Sequence, residues 1–138
     1  MREIKVRAWY KPYKQMCQVE SLRFDENGVY AAVLIEEPFY DRRLVEVDEI
    51  VIEQFTGLKD KNGTEIYEGD IIVQKPLGSN KPGLRGKITY KEDHAAFMFE
   101  VYEREKVVMY LFLSEFSPEK TCEVIGNIHK DPELVEEK

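Results

Sequence analysis

Between residues 70 and 127 the chain is a succession of short β-type segments, each closed off by turn residues, and this pattern limits its folding most. The segments are 70–74 (DIIVQ), 85–90 (RGKITY), 96–101 (AFMFEV), 107–113 (VVMYLFL) and 122–127 (CEVIGN). Short runs rich in β-branched and aromatic residues, bounded by Gly, Pro and polar clusters, read as strands. The first join, 75–84 (KPLGSNKPGL), is a long Pro/Gly loop; 91–95 and 102–106 are polar hairpin turns, and 114–121 has room for one helical turn. A long first loop and a helical turn before the last strand are the layout of a small SH3-like barrel, whose closure hides sheet edges.

The preceding part reads as a second, strand-rich lobe. Ile4, Val6 and Ala8 alternate with Lys5, Arg7 and Trp9, the period of a half-buried strand. A turn at 10–14 contains Pro12, and a strand-like run over 16–24 ends at Asp25-Glu26-Asn27-Gly28, whose Asn-Gly pair suits a tight hairpin. The chain returns over 29–35 (VYAAVLI), and 50–55 (IVIEQF) is a further strand. Residues 36–49, broken by Pro38, show no clean period and carry no assignment. Asp131-Pro132 places a capping residue before a first-turn proline, so a short helix is expected over 132–137. The expected fold is α+β and mostly β: a lobe over 1–67, then an SH3-like barrel with a terminal helix over 68–138.

At 138 residues the chain is one domain or two small lobes, and 43% apolar with 34% charged residues is a globular balance. The longest strongly apolar stretch, 107–113, is far short of the ~20 residues of a membrane-spanning helix. The opening MREIKVRAW lacks a signal-peptide core, so a cytoplasmic protein with no membrane partner is expected. Cys17 and Cys122 lack the companions that a zinc or redox motif needs, which predicts reduced, structural thiols, no metal and no cofactor.

The segment 54–72 (QFTGLKDKNGTEIYEGDII) resembles the signature of the YopX family, small proteins of bacteriophages and prophages. Arg7-Ala8-Trp9 near the start, and Val124-Ile125-Gly126-Asn127-Ile128 followed by Asp131-Pro132-Glu133-Leu134 near the end, extend the likeness over most of the chain. The resemblance implies an SH3-like barrel in the C-terminal part, a virus-derived gene and a bacterial cytoplasm, and it implies no particular activity. Within the signature, Gly57, Asp60, Asn62, Gly63, Glu68, Gly69 and Asp70 supply turn chemistry: positive-φ residues for two tight turns, and carboxylates that accept amide hydrogen bonds. These residues are expected to serve structure. An EF-hand does not fit, because the glycine after Asp60 and Asn62 comes too early.

No catalytic constellation stands out. His94 and His129 have no evident partners and no phosphate-binding GxxxxGK[ST] loop occurs, so the chain is expected not to be an enzyme. A minor reading would set Glu68 and Asp70 beside His94 or Tyr67 as an acid–base site. Charge is the uneven feature. Twenty basic against twenty-seven acidic residues leave −7 overall, yet 71–91 contains Lys75, Lys81, Arg85, Lys87 and Lys91 and no acid. These cations are the candidate ligand-binding residues, with Tyr90 and Phe97 as stacking surface. The N-terminal aromatics Trp9, Tyr10, Tyr13, Phe39, Tyr40 and Phe55 exceed what a small lobe needs, so the remainder is expected to pack against the barrel or a second subunit, with self-association through this lobe preferred. The expected function is a non-enzymatic binding or assembly module, homo-oligomeric or paired with a phage or host protein. The alternative is a nucleic-acid-associated protein using 71–91.

Overall fold

A computed structural model describes residues 3–36 and 41–135. The chain folds as two compact units, Ile4–Gln54 and the part from Phe55 onward. Both are antiparallel β-structures.

In the first unit, β1 (Val6–Tyr10), β2 (Gln15–Asp25), β3 (Gly28–Glu36), β4 (Asp41–Glu46) and the first half of β5 (Ile50–Lys59) lie in the order β4-β3-β2-β1-β5. Alternation sends Ala8 and Tyr10 into a core with Cys17, Ala32, Leu34, Val45 and Ile50. The expected hairpin forms: the Asp25 carboxylate accepts the Asn27 N–H at 2.8 Å, and Gly28 takes positive φ. Part of the stretch without a sequence assignment is β4, held to β3 by pairs such as Leu34↔Arg43. Its strand character comes from that partner, since its own sequence has no apolar period.

In the second unit, β5 continues to Lys59 and pairs with β6 (Glu65–Tyr67). There follow β7 (Asp70–Gln74), β8 (Leu84–Lys91), β9 (Ala96–Glu103), β10 (Lys106–Phe112), a one-turn helix α1 (Pro118–Thr121) and β11 (Cys122–Asn127). The last five strands lie in the order β10-β9-β8-β7-β11 around Ile66, Ile72, Ile88, Phe99, Val101, Leu113 and Cys122. Gly86 is required here: a Cβ at this position would enter the backbone carbonyl of Glu100 on β9.

Two expectations change. The five strands form an open sheet: β10 and β11 are its opposite edges and do not pair. The segment after β10 instead makes a 3-10 turn (Leu113–Glu115) and α1, and delivers β11 beside β7. The terminal helix is a single 3-10 turn, Pro132–Leu134. Asp131 does not cap it, because its carboxylate turns back to accept the Asn127 N–H at 3.2 Å. The remainder of the expected helix, 136–137, lies outside the described residues, as do Phe39 and Tyr40.

Candidate functional site

The signature block folds around one buried carboxylate. Asp60 is 3% exposed; its Oδ1 accepts the N–H groups of Asn62 and Thr64 at 2.8 and 2.9 Å, and its Oδ2 accepts that of Val124 at 2.9 Å. Lys61 N–H donates to the Cys122 carbonyl at 3.0 Å. The turn at Asn62 and Gly63 thereby caps the outward edge of β11. A second turn follows, where Asp70 accepts the Tyr67 N–H at 2.8 Å and Gly69, at φ 80°, both donates to the Ile88 carbonyl and accepts from the Ile128 N–H. Gly57 takes φ 89° where the β5–β6 register shifts, and Glu68 is half-buried. These contacts give the signature carboxylates Asp60 and Asp70 backbone partners suited to holding turns.

On the face of the five-stranded sheet away from its core, one cross-strand row runs Ile71, Lys87, Glu100, Tyr110. Glu100 is 9% exposed and accepts hydrogen bonds from the Tyr102 and Tyr110 hydroxyls at 2.5 and 2.8 Å, with the Lys87 ammonium 3.4 Å away. Burial pushes its carboxyl up, but the two phenols and the ammonium outweigh burial and hold it below its ordinary value. Burial and the Glu100 charge raise the Tyr102 phenol, and the bond to Glu100 raises that of Tyr110. Beside this network an open cleft of about 540 Å³ is lined by Lys87, Tyr102, Glu105, Ile128, Pro132 and Val135.

Of the expected ligand-binding cations, three have partners of their own. Lys87 is engaged by Glu100, Arg85 donates to the Leu134 carbonyl at 3.4 Å, and the Lys91 ammonium lies 4.4 Å from the centre of the Tyr110 ring. Lys75 and Lys81 are exposed on the loop. Tyr90 stacks edge-on against Phe97, with ring centres 5.3 Å apart. Both thiols are buried and reduced; burial pushes Cys17 up and Cys122 up to about 11, so neither is a ready nucleophile. Trp9, Tyr10 and Phe55 are buried, so the surplus of N-terminal aromatics is smaller than the count suggests.

A run of exposed apolar residues lies elsewhere, on β10. Val107, Val108, Met109 and Tyr110 of β10 are each 41–48% exposed. The strand pairs only with β9, and among the described residues no backbone hydrogen bond outside that ladder involves residues 106–112. An edge strand of seven residues, uncharged after Lys106, is a template for strand addition. Sequence reasoning missed it because an unbroken apolar run looks the same in a closed barrel as at an open edge. Glu100 was also missed, although an acid inside the apolar run AFMFEV was its visible signal.

The YopX protein family model matches residues 5–136. The chain belongs to the YopX family. The fold of this YopX-family chain is similar to the crystal structure of protein EF1440 from Enterococcus faecalis, with 29% identity over 98% of this chain and 99% of that one and a TM-score of 0.65. It is also similar to the crystal structure of protein yopX from Bacillus subtilis, at 21% identity over 97% and 98% of the two chains and a TM-score of 0.57. Among curated proteins there is no match.

Proposed function

We propose that this YopX-family chain is a non-enzymatic binding and assembly module, encoded by a phage or prophage and acting in the bacterial cytoplasm, that engages proteins by strand addition at β10. The observation that carries this reading is the contrast between the two edges of the five-stranded sheet. The turn around Asp60 occupies the β11 edge through Lys61 and Val124, whereas residues 107–110 of β10 are uncharged and exposed, and among the described residues no backbone partner lies beyond its ladder with β9. Partners recognised this way are extended segments with β-branched or aromatic side chains. The acid–base alternative gains no support from Asp70, which holds its own turn.

Replacing Met109 by the photo-crosslinking residue benzoylphenylalanine, in cells that express the protein, tests the reading. Protein adducts should form from this position and not from a control at Glu26 in the exposed β2–β3 turn. Equal adduct formation from both positions would overturn it.

The nucleic-acid reading, which uses the basic stretch 71–91, rests on Lys75 and Lys81, which are exposed on the loop between β7 and β8. Titration with single- and double-stranded DNA at two salt concentrations decides it, because phosphate contacts weaken steeply with salt. With so few available cations, binding at physiological salt is expected to be undetectable, and salt-sensitive binding abolished by Lys81→Glu would establish the alternative.

A further inference from the structure

We infer that the cleft between the outward face of the five-stranded sheet and the segment 128–135 binds a small organic carboxylate with an apolar body. The site is separate from the β10 edge and does not depend on strand addition there. Strand alternation sets its floor: Gly86 and Ile88 of β8 are buried toward the core, so Arg85 and Lys87 point to the other face, where their ladder partners on β9 are Tyr102 and Glu100. The wall opposite is the chain after β11, and hydrogen bonds pin it. The Ile128 N–H donates to the Gly69 carbonyl at 2.9 Å, the Asn127 side-chain oxygen accepts the N–H groups of His129 and Lys130 at 3.0 Å each, and Arg85 donates to the Leu134 carbonyl at 3.4 Å. The cleft is therefore formed before a ligand arrives, which keeps the ordering cost of binding small.

Its lining is divided in chemistry. Ile128, Pro132 and Val135 form an apolar side, and Lys87 and Tyr102 a polar one, around a volume of about 540 Å³ that falls within the range of small-molecule sites. An ammonium has three donors, and among the described residues the ion-pair partner of Lys87 is Glu100 alone, so Lys87 can hold a second carboxylate. Arg85 is bonded to a neutral carbonyl, which leaves its positive charge beside the opening without an offsetting acid in that contact. Glu105 lines the same cleft and, with Glu100, repels a second negative charge. The balance favours a singly charged carboxylate over a phosphate ester, whose second ionisation near pH 6 makes it largely dianionic at neutral pH.

Titration of the full chain with phenylacetate, followed by amide NMR, tests the inference. Saturable shifts are expected at the amides of Lys87, Tyr102, Ile128 and Val135, with half-saturation at about 1 mM for a ligand of this size. Phenylacetamide, which has the same body without the charge, and phenyl phosphate should each bind at least about fivefold more weakly. Lys87→Met should weaken phenylacetate binding at least about fivefold, and Lys87→Arg should keep it within about twofold of the parent. Because Lys87→Met also removes a partner of Glu100, Val135→Glu provides a second variant: it leaves the Glu100 network intact, sets an acid in the apolar wall and should weaken binding by a similar factor. No saturable shift at these four amides up to about 20 mM phenylacetate, equal binding of the amide or of the phosphate ester, or parental affinity in both Lys87→Met and Val135→Glu would overturn the inference.

Discussion

The Asp60 Oδ2 atom accepts the backbone N–H of Val124 at 2.9 Å across 64 residues of sequence. With the Lys61 N–H bond to the Cys122 carbonyl, this contact ties the signature turn to the last strand and blocks the β11 edge, so that β10 is the other, open edge of the five-stranded sheet.

Asp60→Ala removes the acceptor of three backbone donors, at Asn62, Thr64 and Val124. Losing three backbone hydrogen bonds to this buried acceptor should cost about 2–4 kcal/mol in urea unfolding. Asp60→Asn keeps one acceptor oxygen and should lose about half as much. A change under about 0.5 kcal/mol for the alanine variant would show that the turn does not hold the strand.

Stability should fall at both pH extremes because of Glu100. Its folded-state pKa lies below the ordinary value, so its contribution is fully present above the unfolded pKa and is lost as pH falls through the folded one. The phenols of Tyr102 and Tyr110 are raised, so theirs is present below the ordinary phenol pKa and is lost as pH rises toward the folded values. Thermal unfolding across pH checks this: Glu100→Gln should flatten the acid limb, and Tyr102→Phe should flatten the alkaline one. An unchanged acid limb in Glu100→Gln would contradict the assignment.

Gly86→Ala forces a methyl group into the Glu100 carbonyl and the Phe99 ring. The strands must separate, at a cost of about 2–4 kcal/mol in chemical denaturation. Gly63→Ala, where nothing lies within reach of a Cβ but φ is 82°, should cost about 1 kcal/mol.

The five strands after Asp70 were legible because each is short, β-rich and bracketed by turn residues, and the 70–74 and 122–127 segments coincide with β7 and β11. The hairpin at Asn27-Gly28 was legible because its turn chemistry is local. What was not legible depends on partners distant in sequence. Leu34↔Arg43 pairing makes β4 a strand despite its charged sequence, and the Asn127 N–H draws Asp131 away from a capping role. Lys87 looked available as a cation until its neighbour across the ladder proved to be Glu100. The openness of the sheet is likewise a property of strand order, which no single segment encodes.

Amide hydrogen exchange of the full chain tests the central claim most directly. The account predicts that the Val124 amide, bonded to Asp60 at the β11 edge, exchanges far more slowly than the amides of β10 that do not face β9. Exchange at Val124 as fast as along the outward side of β10, or uniform protection of all β10 amides, would contradict it.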